Sequence, residues 1–193
     1  MKTTIKRIKE NITEAEYKKL IYGVQGHDKL RDHTKVNLIR AFTLLYFTGL
    51  RLNELQELTV GHIKELLECG STKLILSKTK SERKLYAGKE FQKYLKRLFE
   101  LGNDVDNKVI TKGVSSKEGL HPICFITQVN AVIKSILGEG YTSHSFRQGL
   151  ITEMGSKGVN VKIIAQFIGH SDVKTTLRYI KPTDDDVRGA MVR

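Results

Sequence analysis

The chain has 193 residues, with 33 Lys or Arg against 21 Asp or Glu and a formal charge of +12. That length suits one good-sized domain with a real core, and the charge exceeds what solubility needs, so a polyanion is the expected partner, nucleic acid before an anionic membrane surface. No apolar run reaches the eighteen residues of a membrane span, "MKTTIKRIKE" has no apolar stretch behind its charges, and Cys69 and Cys124 have neither C-x-x-C spacing nor His neighbours. We therefore expect a soluble, intracellular, nucleic-acid-associated protein whose cysteines are reduced, structural residues, with no zinc site and no disulfide framework.

In chain order, "NITEAEYKKLIYGV" opens with Thr13 and Glu16 at capping-box spacing and sets Tyr17, Leu20, Ile21 and Val24 on one face, which predicts a first amphipathic helix. "HTKVNLIRAFTLLYFTGL" sets Val36, Ile39, Phe42, Leu45 and Tyr46 at helical spacing and predicts a core helix ending at Gly49. A short helix follows from about Leu52 to Val60. "TKLILSKTKSERKLYAG" holds two strand-like runs, Lys73 to Ser77 and Arg83 to Ala87, joined by a charged turn, and predicts a β-hairpin. "KEFQKYLKRLFELG" and "PICFITQVNAVIKSILGEG" return to helical spacing. The last third predicts three short helices separated by Gly155, Gly158 and Gly169. The fold class is mainly α with a small antiparallel β-sheet, α+β, in one compact unit with no internal repeat.

Between residues 72 and 97 the only acids among many Lys and Arg are Glu82 and Glu90. A charge run is most often a solvated face. Here it also offers a phosphate-backbone contact through Lys73, Lys78, Lys80, Arg83 and Lys84.

Taken singly, the other candidates are ordinary. Arg51 in "TGLRLNEL" reads as a surface residue paired with Glu54 one turn later. His144 and Arg147 in "SHSFRQGL" read as solvated side chains, His170 as a cap or loop residue, and Tyr179 as a packing tyrosine. Taken together they supply guanidinium donors for phosphate oxygens, imidazoles for proton transfer, a hairpin lysine able to protonate a leaving oxygen, and a nucleophile. Those are the parts of metal-free phosphoryl transfer.

"TGLRLNEL", "LSKTKSERKLY", "SHSFRQGL" and "IGHSDVKTTLRYI" resemble, in order, the signature boxes of the tyrosine recombinase (phage integrase) family, and the spacing from His144 to His170 and on to Tyr179 is also similar. The resemblance covers essentially the whole chain and implies a tyrosine recombinase catalytic-domain-like fold. It implies that Arg51 and Arg147 clamp the scissile phosphate, that His144 hydrogen-bonds it and assists proton transfer, and that His170 contacts a non-bridging oxygen. It further implies that Lys78 is the general acid, with Lys80 as the alternative because strand alternation would put both on one face. Tyr179 would form a 3′-phosphotyrosyl bond, and Glu54 would orient Arg51 or pack its helix. No cofactor is implied. The implied partner is double-stranded DNA, with a tetramer on paired sites, a monomer in solution and no membrane association.

The family usually carries an N-terminal core-binding domain, and the residues before Arg51 leave no room for it. The expected organisation is a single catalytic domain over 1–193 with a short C-terminal tail at 180–193. The expected function is site-specific recombination: integration, excision, inversion or dimer resolution. A type IB topoisomerase-like nicking enzyme and a non-catalytic DNA-binding or accessory protein with the same fold are the alternatives.

Overall fold

The structure is a computed structural model that describes residues 10–77, 80–99, 104–113, 116–180, 184, 188, 189 and 191. The described residues form helices α1 (Glu14–Gln25), α2 (Asp32–Thr48), α3 (Leu52–Leu55) and α4 (Val60–Glu68), strands β1 (Ser71–Ile75) and β2 (Glu82–Tyr86), and helices α5 (Lys89–Leu98), α6 (Pro122–Leu137), α7 (Ser143–Ser156), α8 (Val161–Ile168) and α9 (Val173–Leu177). This is the mainly α fold with one small antiparallel sheet that the sequence patterns predict. Where one compact unit was expected, the chain divides into two, Met1–Leu150 and Ile151–Arg193. The tail expected over 180–193 lies largely outside the described residues.

In the first unit the core surrounds α2. Leu38, Phe42 and Leu45 of α2, Leu20 and Val24 of α1, Phe125, Val129 and Ile133 of α6, and Phe146 of α7 are completely buried. Phe42 and Phe146 stack with centroids 5.7 Å apart, which ties α7 to α2. The capping box is present: Glu16 accepts from the Thr13 N–H at 3.0 Å, and the Tyr17 hydroxyl reaches Thr43 at 2.9 Å. Burial of that phenol pushes its pKa up to about 12. Gly49 closes α2 in the left-handed region at φ 58°, donating to Leu45 O at 2.9 Å.

Four local expectations change. Val36 is 43% exposed, on the side of α2 away from the core. The helix expected over Leu52 to Val60 is one turn, because Thr59 starts α4: its N–H donates to His62 Nδ1 at 3.0 Å, and residues 58–60 hydrogen-bond to the segment around Lys108. Cys69 and Cys124 are both exposed, so neither packs in the core. Gly155 lies within α7 rather than after it, and Gly158, at φ 72°, follows the helix end.

The hairpin pairs Ser71 with Tyr86 through to Ile75 with Glu82. Its strands sit slightly before the predicted runs. One face buries Thr72, Leu74, Arg83 and Leu85 and the other is exposed, as period-2 alternation requires.

Candidate functional site: two guanidinium anchors and an exposed arginine

The site in the first unit begins where α2 stops. A helix C-terminus carries carbonyls with no intrahelical partner and the negative end of the dipole, so it attracts cations. Here two arginines from different elements take adjacent carbonyls: Arg83 Nη2 of β2 donates to Thr48 O at 2.9 Å, and Arg147 Nη1 of α7 donates to Gly49 O at 2.9 Å. Arg147 is only 1% exposed.

Arg51 follows as the residue that caps α3. Its N–H donates to Glu54 Oε2 at 2.9 Å and its Nη1 to Glu54 Oε1 at 2.7 Å. The same carboxylate accepts from Arg83 Nη1. Burial would raise the Glu54 carboxyl, but the Arg83 charge and the hydrogen bonds and charge of Arg51 outweigh it and hold the group below its ordinary value. For Arg83, burial outweighs the attraction of Glu54 and lowers the guanidinium, which nevertheless stays protonated at working pH.

Arg51 and His144 line one open pocket together with Leu50, Leu52, Asn53, Ile126 and Ser143. Of the expected site residues, the first unit thus brings together Arg51, His144, Arg147 and Glu54. Taken singly, His144 and Arg147 read from the sequence as solvated side chains. The structure instead exposes His144 and buries Arg147, whose side chain turns to the α2 terminus.

The hairpin cations separate into two groups. Lys73 and Lys84 sit directly opposite each other on the exposed face. Lys73 pairs with Glu82 at 3.2 Å, and the Lys84 ammonium lies 5.3 Å from the Tyr86 ring centroid. Arg83, expected to contact DNA, is 5% exposed and locked to Glu54 and Thr48, because the strand register that exposes Lys84 turns Arg83 inward beside Leu85. Lys80 lies in the turn at φ 54°, beyond the end of β1, so strand alternation does not set its direction. Lys78 lies outside the described residues.

The second unit holds the other two expected residues. α8 ends at Gly169, φ 75°, and His170 N–H returns to Ala165 O at 2.9 Å. His170 Nδ1 is 2.8 Å from the hydroxyl of Thr176, a completely buried residue of α9. The Tyr179 N–H bonds Thr176 O at 3.0 Å, and the His170 and Tyr179 rings stack with centroids 6.4 Å apart and planes at 22°. The Thr176 hydroxyl thus holds the His170 ring, while its carbonyl fixes only the main chain at Tyr179.

The profile of the phage integrase family matches residues 10–186. Among curated relatives, a tyrosine recombinase XerA of Pyrococcus horikoshii is 30% identical over 198 residues, covering 96% of this chain and 61% of the relative. One from Pyrococcus furiosus is 29% identical over 195 residues, covering 97% and 63%. A tyrosine recombinase of Thermosipho africanus is 25% identical over 182 residues, covering 94% and 60%. The chain spans about three fifths of the length of these relatives. Among solved structures, a Tn1549 transposon integrase in complex with transposon right end DNA superposes with TM-score 0.73 at 19% identity, covering 97% of this chain and 66% of that one. The XerA recombinase crystal structure gives TM-score 0.68 at 18% identity, covering 98% and 65%. These likenesses establish the fold, and with the profile match they establish descent: the chain belongs to the phage integrase family, the tyrosine recombinases, and corresponds to their catalytic domain.

Proposed function

We propose that the chain is the catalytic portion of a site-specific recombinase that breaks and rejoins double-stranded DNA through a 3′-phosphotyrosyl bond. The observation that carries the reading is the cationic pocket of the first unit. There Arg51 and His144 face one cleft, while Arg147 is held on the carbonyl of Gly49, two residues before Arg51. Guanidinium donors fixed before substrate arrives are what a phosphoryl group needs as charge builds on its oxygens.

In this scheme Arg51 and Arg147 hold the non-bridging oxygens of the scissile phosphate, with His144 and His170 as further hydrogen-bond partners. The Tyr179 oxygen attacks phosphorus as its proton passes to His144, the bond to the 5′-oxygen breaks, and Lys78, or Lys80 in its place, protonates that oxygen. Attack by a 5′-hydroxyl of another strand reverses the step. The covalent bond conserves the phosphodiester energy, so neither ATP nor a metal is required.

The exposed hairpin face suits a polyanion. Like charges directly opposite on a sheet are destabilising, and a phosphate backbone across Lys73 and Lys84 would relieve that repulsion. Exchange of four strands calls for four active sites, hence a tetramer on paired DNA; the state proposed for the chain in solution is a monomer.

The test is a covalent-adduct assay on nicked duplexes carrying candidate sites, in EDTA, resolved on denaturing gels. Wild type should form an adduct, and Tyr179→Phe should form none while still retarding DNA in a mobility shift. An adduct that persists in Tyr179→Phe, or DNA binding with no adduct on any substrate, would count against the proposal.

A further inference from the structure

Glu54 lies between two guanidiniums of very different exposure. The Arg51 side chain is 49% exposed, whereas the Glu54 and Arg83 side chains are 6% and 4% exposed. Arg83 is committed to Thr48 O through Nη2 and through Nη1 to one oxygen of the carboxylate whose other oxygen holds Arg51. The hairpin is pinned to the same segment a second time: Glu57 accepts from Ser77 N–H at 2.7 Å and from the Ser77 hydroxyl at 3.0 Å.

Charge decides what this arrangement does. Arg51 and Glu54 alone would form a neutral pair, and a half-buried neutral pair attracts an anion poorly. With Arg83 added the cluster is a cation, and Arg51 is the only member of the three presenting donors to solvent. We propose that Arg83 is a positioning residue for Arg51, drawing off part of the Glu54 charge so that Arg51 remains available to phosphate. The proposal rests on the phosphate-holding role of Arg51 given above. Glu54 fixes where the Arg51 guanidinium points, and Arg83 keeps that fixing from neutralising it.

The two roles separate in a phosphate titration of the full chain. Inorganic phosphate is the probe, read at the 1H–15N cross-peak of Arg51 Nε, which is assigned by its loss in Arg51→Lys. Arg83→Gln keeps hydrogen-bond partners for Glu54 and Thr48 but removes the charge, and should weaken phosphate binding about tenfold, by analogy with the lower end of what the partners of ligating side chains contribute in metal sites. Arg83→Lys should stay within about twofold. Glu54→Gln combined with Arg83→Gln should bind as well as wild type, because the charge to be balanced has gone; this pairing isolates the coupling.

A purely structural Arg83 gives a different pattern: Arg83→Gln lowers the melting temperature and leaves the phosphate affinity unchanged. That result overturns the proposal, as does a double variant as weak as Arg83→Gln. A tenfold loss in Arg83→Lys overturns it as well, and decides the matter even where Arg83→Gln fails to fold. Absence of any covalent adduct in wild type would count against the recombinase reading while leaving the phosphate titration to decide this one.

Discussion

Gly149 sits in the buried part of α7, in the same short run as His144 and Arg147, and Gly149→Ala sets two effects against each other. Helix propensity favours alanine by about 1 kcal/mol. Space does not: a Cβ there would lie 2.1 Å from the Ile12 carbonyl oxygen, 3.0 Å from its carbonyl carbon and 3.2 Å from its nitrogen. Those are backbone atoms, so relief requires the segment before α1 to move off the helix. Ile12 is 2% exposed and its N–H bonds Ser145 O at 3.1 Å. Withdrawal forfeits that hydrogen bond, about 1 kcal/mol, and much of the isoleucine burial, about 2 kcal/mol. Set against the propensity gain, the net loss is about 2 kcal/mol, which at this chain length lowers Tm by on the order of 4–8 °C. The assay is thermal unfolding by circular dichroism, with hydrogen exchange read at the Ile12 amide, which should lose protection. A Tm equal to or above wild type, with Ile12 still protected, would refute the steric argument and leave propensity as the deciding term.

Three further outcomes follow from single contacts. Burial outweighs the opposing charge of Glu65 and, with a smaller push from the Lys108 charge, lowers the His62 pKa, and the neutral ring accepts the Thr59 N–H that starts α4. Because the folded pKa lies below the unfolded one, this contribution is complete above about pH 6.5 and is lost as pH falls through the folded pKa; a Tm–pH series in which His62→Gln shows the same slope would sink this assignment. Tyr17→Phe removes the hydroxyl bonded to Thr43 and should cost about 1 kcal/mol, read in urea unfolding as a lower midpoint at unchanged m. The stabilisation from burying neutral Tyr17 is complete below about pH 10 and disappears as pH rises through the folded value of about 12, so the Tyr17→Phe difference should shrink in that window.

Much of this molecule is legible in its residues, and the failures share a cause. Thr13 and Glu16 announce α1, Gly49 ends α2, and the hydrophobic spacing of α2, α5 and α6 is plain, because caps and periodicity are local. Arg51 with Glu54 was also readable, since three residues span one helical turn. The burial of Arg83 is hidden when charge is weighed without strand register. Leu85 two positions on and Leu74 across the hairpin put Arg83 on the apolar side, a signal available in alternation alone. The Arg147 contact with Gly49 and the His170 contact with Thr176 depend on how elements meet, and no spacing rule predicts a guanidinium aimed at a helix end. Thr59 carries no recognisable start signal in the sequence, because its capping partner is a histidine rather than an acid.

The arginines gathered at the end of α2 form a graded set, and on the proposed reading the grading bears on catalysis. Arg147 and Arg83 give up solvent to hold consecutive carbonyls at the negative end of α2, a place where the dipole offsets part of their desolvation. Arg51 keeps its exposure and is aimed by Glu54. Counted together, three guanidiniums and one carboxylate carry a net charge of about two, more than one phosphodiester anion neutralises. On the proposed reading, attack by a tyrosine oxygen adds negative charge to the phosphorus centre in the transition state. A cluster with surplus positive charge then stabilises that state more than it stabilises bound substrate, which is the differential that accelerates a reaction. Glu54→Gln exposes the limit of this logic. It raises the cluster charge further and should tighten phosphate binding, but it frees Arg51 from its aim, so adduct formation should fall even as affinity rises. A variant in which both rise together would show that charge alone, without the Glu54 constraint, governs the step.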